Sequence, residues 1–67
     1  MQLHEREKQL SDGQTIVYLY DDSGTLQGYL QGQGSSWQVC LGRKGDIIDT
    51  VPSREEGLAV LYDILKE

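Results

Sequence analysis

From Gln14 to Val51 the apolar positions come in short runs of Val, Ile, Leu, Tyr and Trp, broken by glycine-bearing clusters every eight to twelve residues or so. That is the pattern of an antiparallel meander. Strands are predicted near 14–20, 25–31, 36–41 and 46–51. The connectors are Asp21-Asp22-Ser23-Gly24, Gly32-Gln33-Gly34-Ser35 and Gly42-Arg43-Lys44-Gly45. After Pro52 the period changes. Leu58, Leu61, Tyr62 and Leu65 recur at i, i+3, i+4 and i+7, Val60 and Ile64 widen the stripe, and Glu55, Glu56, Asp63 and Glu67 face away. Ser53-Arg54-Glu55-Glu56 before the stripe is a capping box, so one amphipathic helix is expected to dock on the sheet. The fold class that follows is α+β: a meander of about four strands with one C-terminal helix on one face.

Two regions leave alternatives. Residues 1–13 contain Leu3 and Leu10 among good helix formers, yet Ser11-Asp12-Gly13 reads as a hairpin turn and Glu5-Arg6-Glu7-Lys8 suits a charged edge strand. An extended segment that adds a fifth strand is favoured over a disordered arm, with residues 14–67 forming the domain proper. The first strand is apolar on both faces. Asp at the first and Gly at the fourth position of its turn imply a type I turn with a G1 bulge, pairing Tyr20 with Leu26, Tyr18 with Gly28 and Ile16 with Leu30 on one face. A two-residue loop would slip the register by one and put Val17 and Leu19 inside with Leu26 and Leu30. The first register is favoured, which leaves Val17 and Leu19 on the opposite face with Tyr29. In the third strand Trp37, Val39 and Leu41 point to the core and Gln38 and Cys40 away. The fourth strand's register is open.

Composition then bounds the whole. Nine Leu, four Ile and four Val among 67 residues exceed what a disordered chain carries, so the chain folds as one small unit with a thin core. No apolar run approaches the roughly 20 residues of a membrane span, and the mixed charges of residues 1–8 lack the apolar stretch of a secretory signal. A cytoplasmic setting without membrane contact is expected. One cysteine allows no internal disulfide, and no Cys/His spacing suits a metal, so neither metal nor cofactor is expected. Six basic against eleven acidic residues give a net charge of −5, which disfavours duplex DNA.

Candidate chemistry is sparse. His4 and Cys40 are 35 residues apart with no third group to orient them, so a Cys-His nucleophile is not expected. Gly32-Gln33-Gly34-Ser35-Ser36 resembles a phosphate cradle but precedes a strand rather than a helix. Asp21, Asp22, Asp46 and Asp49 are too dispersed for a calcium loop. No convergent acid, base and nucleophile can be named, so catalysis is not expected. Two binding readings remain. The first is a protein interaction or regulatory module, with self-association as a homodimer among its forms, that uses the uncovered sheet face of Val17, Leu19, Tyr29, Cys40 and Ile48. The second is single-stranded nucleic-acid binding by stacking on the sheet tyrosines, with Arg43, Lys44 and Arg54 as phosphate contacts.

Overall fold

In the computed structural model, which describes residues 2–42 and 44–65, five antiparallel strands form one sheet in the order β1-β2-β3-β4-β5. They are β1 His4–Gln9, β2 Thr15–Tyr20, β3 Leu26–Gln33, β4 Ser36–Leu41 and β5 Asp46–Val51, followed by helix α1 Arg54–Leu65. The N-terminal segment is therefore the fifth strand, an edge whose side chains are all exposed.

The β2–β3 turn closes as its residues dictate. The Gly24 amide donates to the Asp21 carbonyl at 3.0 Å, the Asp21 amide to the Thr25 carbonyl at 3.0 Å, and Gly24 takes a φ of 85°, which a side chain would disfavour. Tyr20 pairs with Leu26 as expected. One residue later the ladder breaks: Leu19 pairs with Gly28, so Gln27 is extra, and Tyr18 then faces Tyr29, Val17 faces Leu30 and Ile16 faces Gln31. This bulge slips the register by one and overturns the expected pairing of Tyr18 with Gly28 and of Ile16 with Leu30. The physical reason is burial. Val17 and Leu19 lie on the helix side with no exposed surface, joined there by Leu30, Val39, Leu61 and Trp37. A bulged turn keeps its preferred geometry while the strand presents its compact aliphatic side chains to the helix and leaves the tyrosines, whose hydroxyls need polar partners or water, outside.

Close approach of α1 depends on two glycines. A Cβ on Gly28 would meet Leu61 Cδ2 at 3.1 Å and the Cys40 carbonyl at 2.9 Å, and a Cβ on Gly57 would stand 2.6 Å from Leu30 Cδ2. Leu61 is the deepest residue of α1. Leu58, Val60, Tyr62 and Leu65 pack around it, whereas Ile64, expected in the apolar stripe, is 43% exposed. The Ser53 cap forms, with the Glu56 amide donating to Ser53 Oγ at 3.2 Å, but Glu56 meets the Ser53 hydroxyl at 3.5 Å rather than its backbone amide, so only half of the expected capping box is made. In β5 a second bulge separates the pair Val39 with Asp49 from the pair Cys40 with Ile47, leaving Ile48 unpaired between them and fixing the register that the sequence left open.

Candidate functional site

Because paired residues share a face, the registers divide the side chains of every strand between the helix side and the open side. On β1, Glu5 and Glu7 stand opposite Leu19 and Val17 on the helix side, while His4, Arg6 and Lys8 stand opposite Tyr20, Tyr18 and Ile16 on the open side. β3 adds Tyr29 and Gln31 to the open side, β4 adds Gln38 and Cys40, and β5 adds Ile47 and Thr50. Asp46 and Asp49 pair with Leu41 and Val39 and so fall on the helix side. The strands thus carry their cations toward the open face and their carboxylates toward the helix face.

At the centre of the open face lie three tyrosines. The Tyr18 ring centroid is 6.1 Å from that of Tyr20 and 6.0 Å from that of Tyr29, with interplanar angles of 39° and 46°. These are tilted contacts of the kind aromatic pairs favour. Tyr29 leans over β4. A hydrogen bond with the Cys40 thiol, followed by burial, raises its pKa, and a Cβ on Gly45 would run into its hydroxyl. Cys40 is consequently covered, 3% exposed, although it belongs to the open side. At the corner beyond Tyr20, a hollow of about 400 Å³ is lined by His4, Arg6, Tyr20, Asp21, Asp22 and Gly24. His4 Nε2 contacts Asp22 Oδ1 there at 2.9 Å, and this hydrogen bond is the main cause of a lowered Asp22 pKa.

The helix side carries a different polar cluster. Arg54 Nη2 lies 2.9 Å from Glu7 and 3.9 Å from Glu5, and the Tyr62 hydroxyl donates to Glu5 at 2.9 Å. Burial, and then the Glu5 contact, raise the Tyr62 pKa. These contacts tie α1 to the far edge strand.

Set against the expected sites, the structure moves several residues. Val17 and Leu19 are core residues beneath α1 and cannot form an outer contact face. Tyr29 is on the open face, Cys40 lies under it, and Ile48 is 41% exposed in the β5 bulge rather than in the ring cluster. Arg54 is engaged by Glu7 on the opposite side of the sheet from the tyrosines, so it does not serve a strand lying on the open face. Lys44 is exposed in the β4–β5 turn, one residue before Gly45, which the Tyr29 hydroxyl approaches. Arg43 lies outside the described residues. What the sequence reading missed is the pair Arg6 and Lys8, whose alternation with Glu5 and Glu7 signals two faces of opposite charge once the segment is known to be a strand. Among the described residues no group of three His, Cys, Asp or Glu side chains could hold a metal, and no helix is long and apolar enough to cross a membrane. No protein-family model matches the chain, nor does any curated protein or solved structure.

Proposed function

We propose that this chain is a non-enzymatic interaction module that works in the cytoplasm through the open face of its sheet. What supports the reading is the unbroken contact of Tyr20, Tyr18 and Tyr29 on the side away from the helix. A small domain that leaves three phenol rings half-buried on one surface, when its core is already closed by α1, holds contact area in reserve. The clustered titratable side chains, His4 with Asp22 at one corner of the open face and Arg54 with Glu5 and Glu7 on the helix side, pair with one another and offer no nucleophile. An apolar partner surface fitted the expected face of Val17 and Leu19. With those side chains in the core, the face to be matched is aromatic and cationic.

A photo-crosslinking side chain placed in cells at Gln38, exposed on the open face, and separately at Glu55, exposed on α1, tests this whatever the partner is. Discrete adducts are expected from Gln38 and none from Glu55. Adducts from neither position, or the same adducts from both, would overturn the reading.

A further inference from the structure

We infer that the occupant of the open face is a single strand of nucleic acid, its bases on Tyr20, Tyr18 and Tyr29 and its phosphates on Arg6 and Lys8. The inference rests on the open face being the contact surface and adds the chemistry of what lies there.

Charge placement carries it. The net charge of −5 counts against nucleic acid only if it is spread evenly, and it is not. Every acidic residue of the five strands, namely Glu5, Glu7, Asp46 and Asp49, falls on the helix side, and α1 adds Glu55 and Glu56 beyond it. The strands bring only Arg6, Lys8 and His4 to the open side. The acidic groups bordering that face are in its turns: Asp12 accepts from the Gln14 amide, Asp22 contacts His4, and Asp21 accepts from Ser23, Thr25 and Gln27, so all three carboxylates are turned to local partners at the corners rather than to the tyrosine row. Among the described residues Arg6 and Lys8 make no ion pair, whereas Arg54 across the sheet is taken up by Glu7. Arg6 shares the corner hollow with Asp21 and Asp22 without forming an ion pair, and Lys8 stands clear of it, so two unpaired cations beside a row of aromatic rings supply the two components of single-strand recognition: phosphate neutralisation and base stacking.

A protein partner would use the same rings, since tyrosine and arginine are enriched in protein interfaces, but the exposed large aliphatics that would widen such a contact, Ile47, Ile48 and Ile64, lie on the β5 edge and the outer helix. The centre here is phenol, flanked by the side-chain amides of Gln31 and Gln38. A duplex fits poorly, because its bases are stacked on each other and a surface row of rings cannot reach their faces.

The test is a fluorescence-anisotropy titration of the full chain with labelled single strands of about 12 nucleotides, an oligothymidylate and a mixed-sequence RNA, over roughly 20 to 200 mM salt, with a duplex of equal length as control. Binding of the single strands is expected to fall with salt with a log-log slope of about −1.4 for two phosphates, each of Arg6→Gln and Lys8→Gln shallowing it by about 0.7. Tyr18→Ser is expected to lower affinity fivefold or more, and Glu55→Gln to leave it unchanged. Absence of binding at the lowest salt, equal affinity for the duplex, or unaltered binding by Lys8→Gln, an exposed edge substitution that leaves the core intact, would overturn the inference. A protein adduct from the Gln38 probe with no oligonucleotide binding would overturn it while the open-face reading stands. No adduct and no binding would remove both.

Discussion

Gly57 is a position where two effects of similar size oppose each other. An alanine at this fourth residue of α1 gains at most about 1 kcal/mol in helix propensity, but its Cβ would press on both methyls of Leu30, at 2.6 and 3.1 Å, and Leu30 is wholly buried. Overpacking a closed core costs about 1–3 kcal/mol, so Gly57→Ala is expected to lower Tm, by about 4–8 °C for each net kcal/mol lost in a domain this small. A raised Tm would mean that Leu30 has room to turn. Asp21 offers a second test at the same scale. Its carboxylate accepts from the Ser23 hydroxyl, the Thr25 and Ser23 amides and the Gln27 side chain, the first contributing most to a pKa lowered from 3.8. A carboxyl whose folded pKa is depressed contributes stability that is present above its unfolded value and lost as pH falls through the folded one. Asp21→Asn is therefore expected to lower Tm at pH 7 and to flatten the loss of stability below about pH 4; an unchanged acid limb would refute the assignment. The Asp-x-x-Gly signature made this turn readable from sequence, but nothing in it announced Gln27 as the extra residue. That choice is made by the contrast between aliphatic and phenolic side chains several residues away.

Among the elements, α1 was the most legible because its signals are local: the Ser53 cap sets its start and a 3.6-residue apolar stripe sets its buried face. The two contributions differ in size, since losing the Ser53 hydroxyl costs about 1 kcal/mol whereas emptying the Leu61 site costs about 2–5. Ser53→Ala is accordingly expected to leave a folded protein with modestly reduced Tm, and Leu61→Ala to leave a chain largely unfolded at 37 °C, as read by circular dichroism; the reverse order would show that the cap, not the docking, holds the helix. β2 was the least legible. Thr15–Tyr20 is apolar on both sides, so period-two reading could not choose a face, and the choice fell to a bulge that belongs to the pairing with β3 rather than to the strand. The same error carried into the candidate site, where Val17 and Leu19 stood in for Tyr18 and Tyr20, their neighbours on the strand's other side. β1 was read correctly as a charged edge, but its role as the cationic margin of the tyrosine row follows only from its register with β2.

At the scale of the whole molecule, what decides the oligomeric state is how the two sheet edges are closed to incoming strands. β1 alternates charge along its length and is exposed throughout, and its carboxylates are already committed to Arg54 and Tyr62. β5 is the weaker edge, because Ile47 and Ile48 are 58% and 41% exposed. Yet three features defend it: the bulge at Ile48 breaks the flat ladder, Asp46 and Asp49 flank the isoleucines, and the Asp49 carboxylate takes the Thr50 amide at 2.8 Å. Self-pairing along β5 would also bring together two chains of net charge −5. The homodimer that an apolar face of Val17 and Leu19 would have favoured has lost its surface to α1. Sedimentation equilibrium over a dilution series is therefore expected to return the monomer mass at every concentration. Asp49→Ala, which frees the Thr50 amide and removes one flanking charge, is expected to introduce association that grows with salt as the remaining repulsion is screened. A wild-type dimer that survived dilution would place the seam at Ile47 and Ile48. Because those residues border the tyrosine row through β4, it would also double the length of the open face along a continuous sheet.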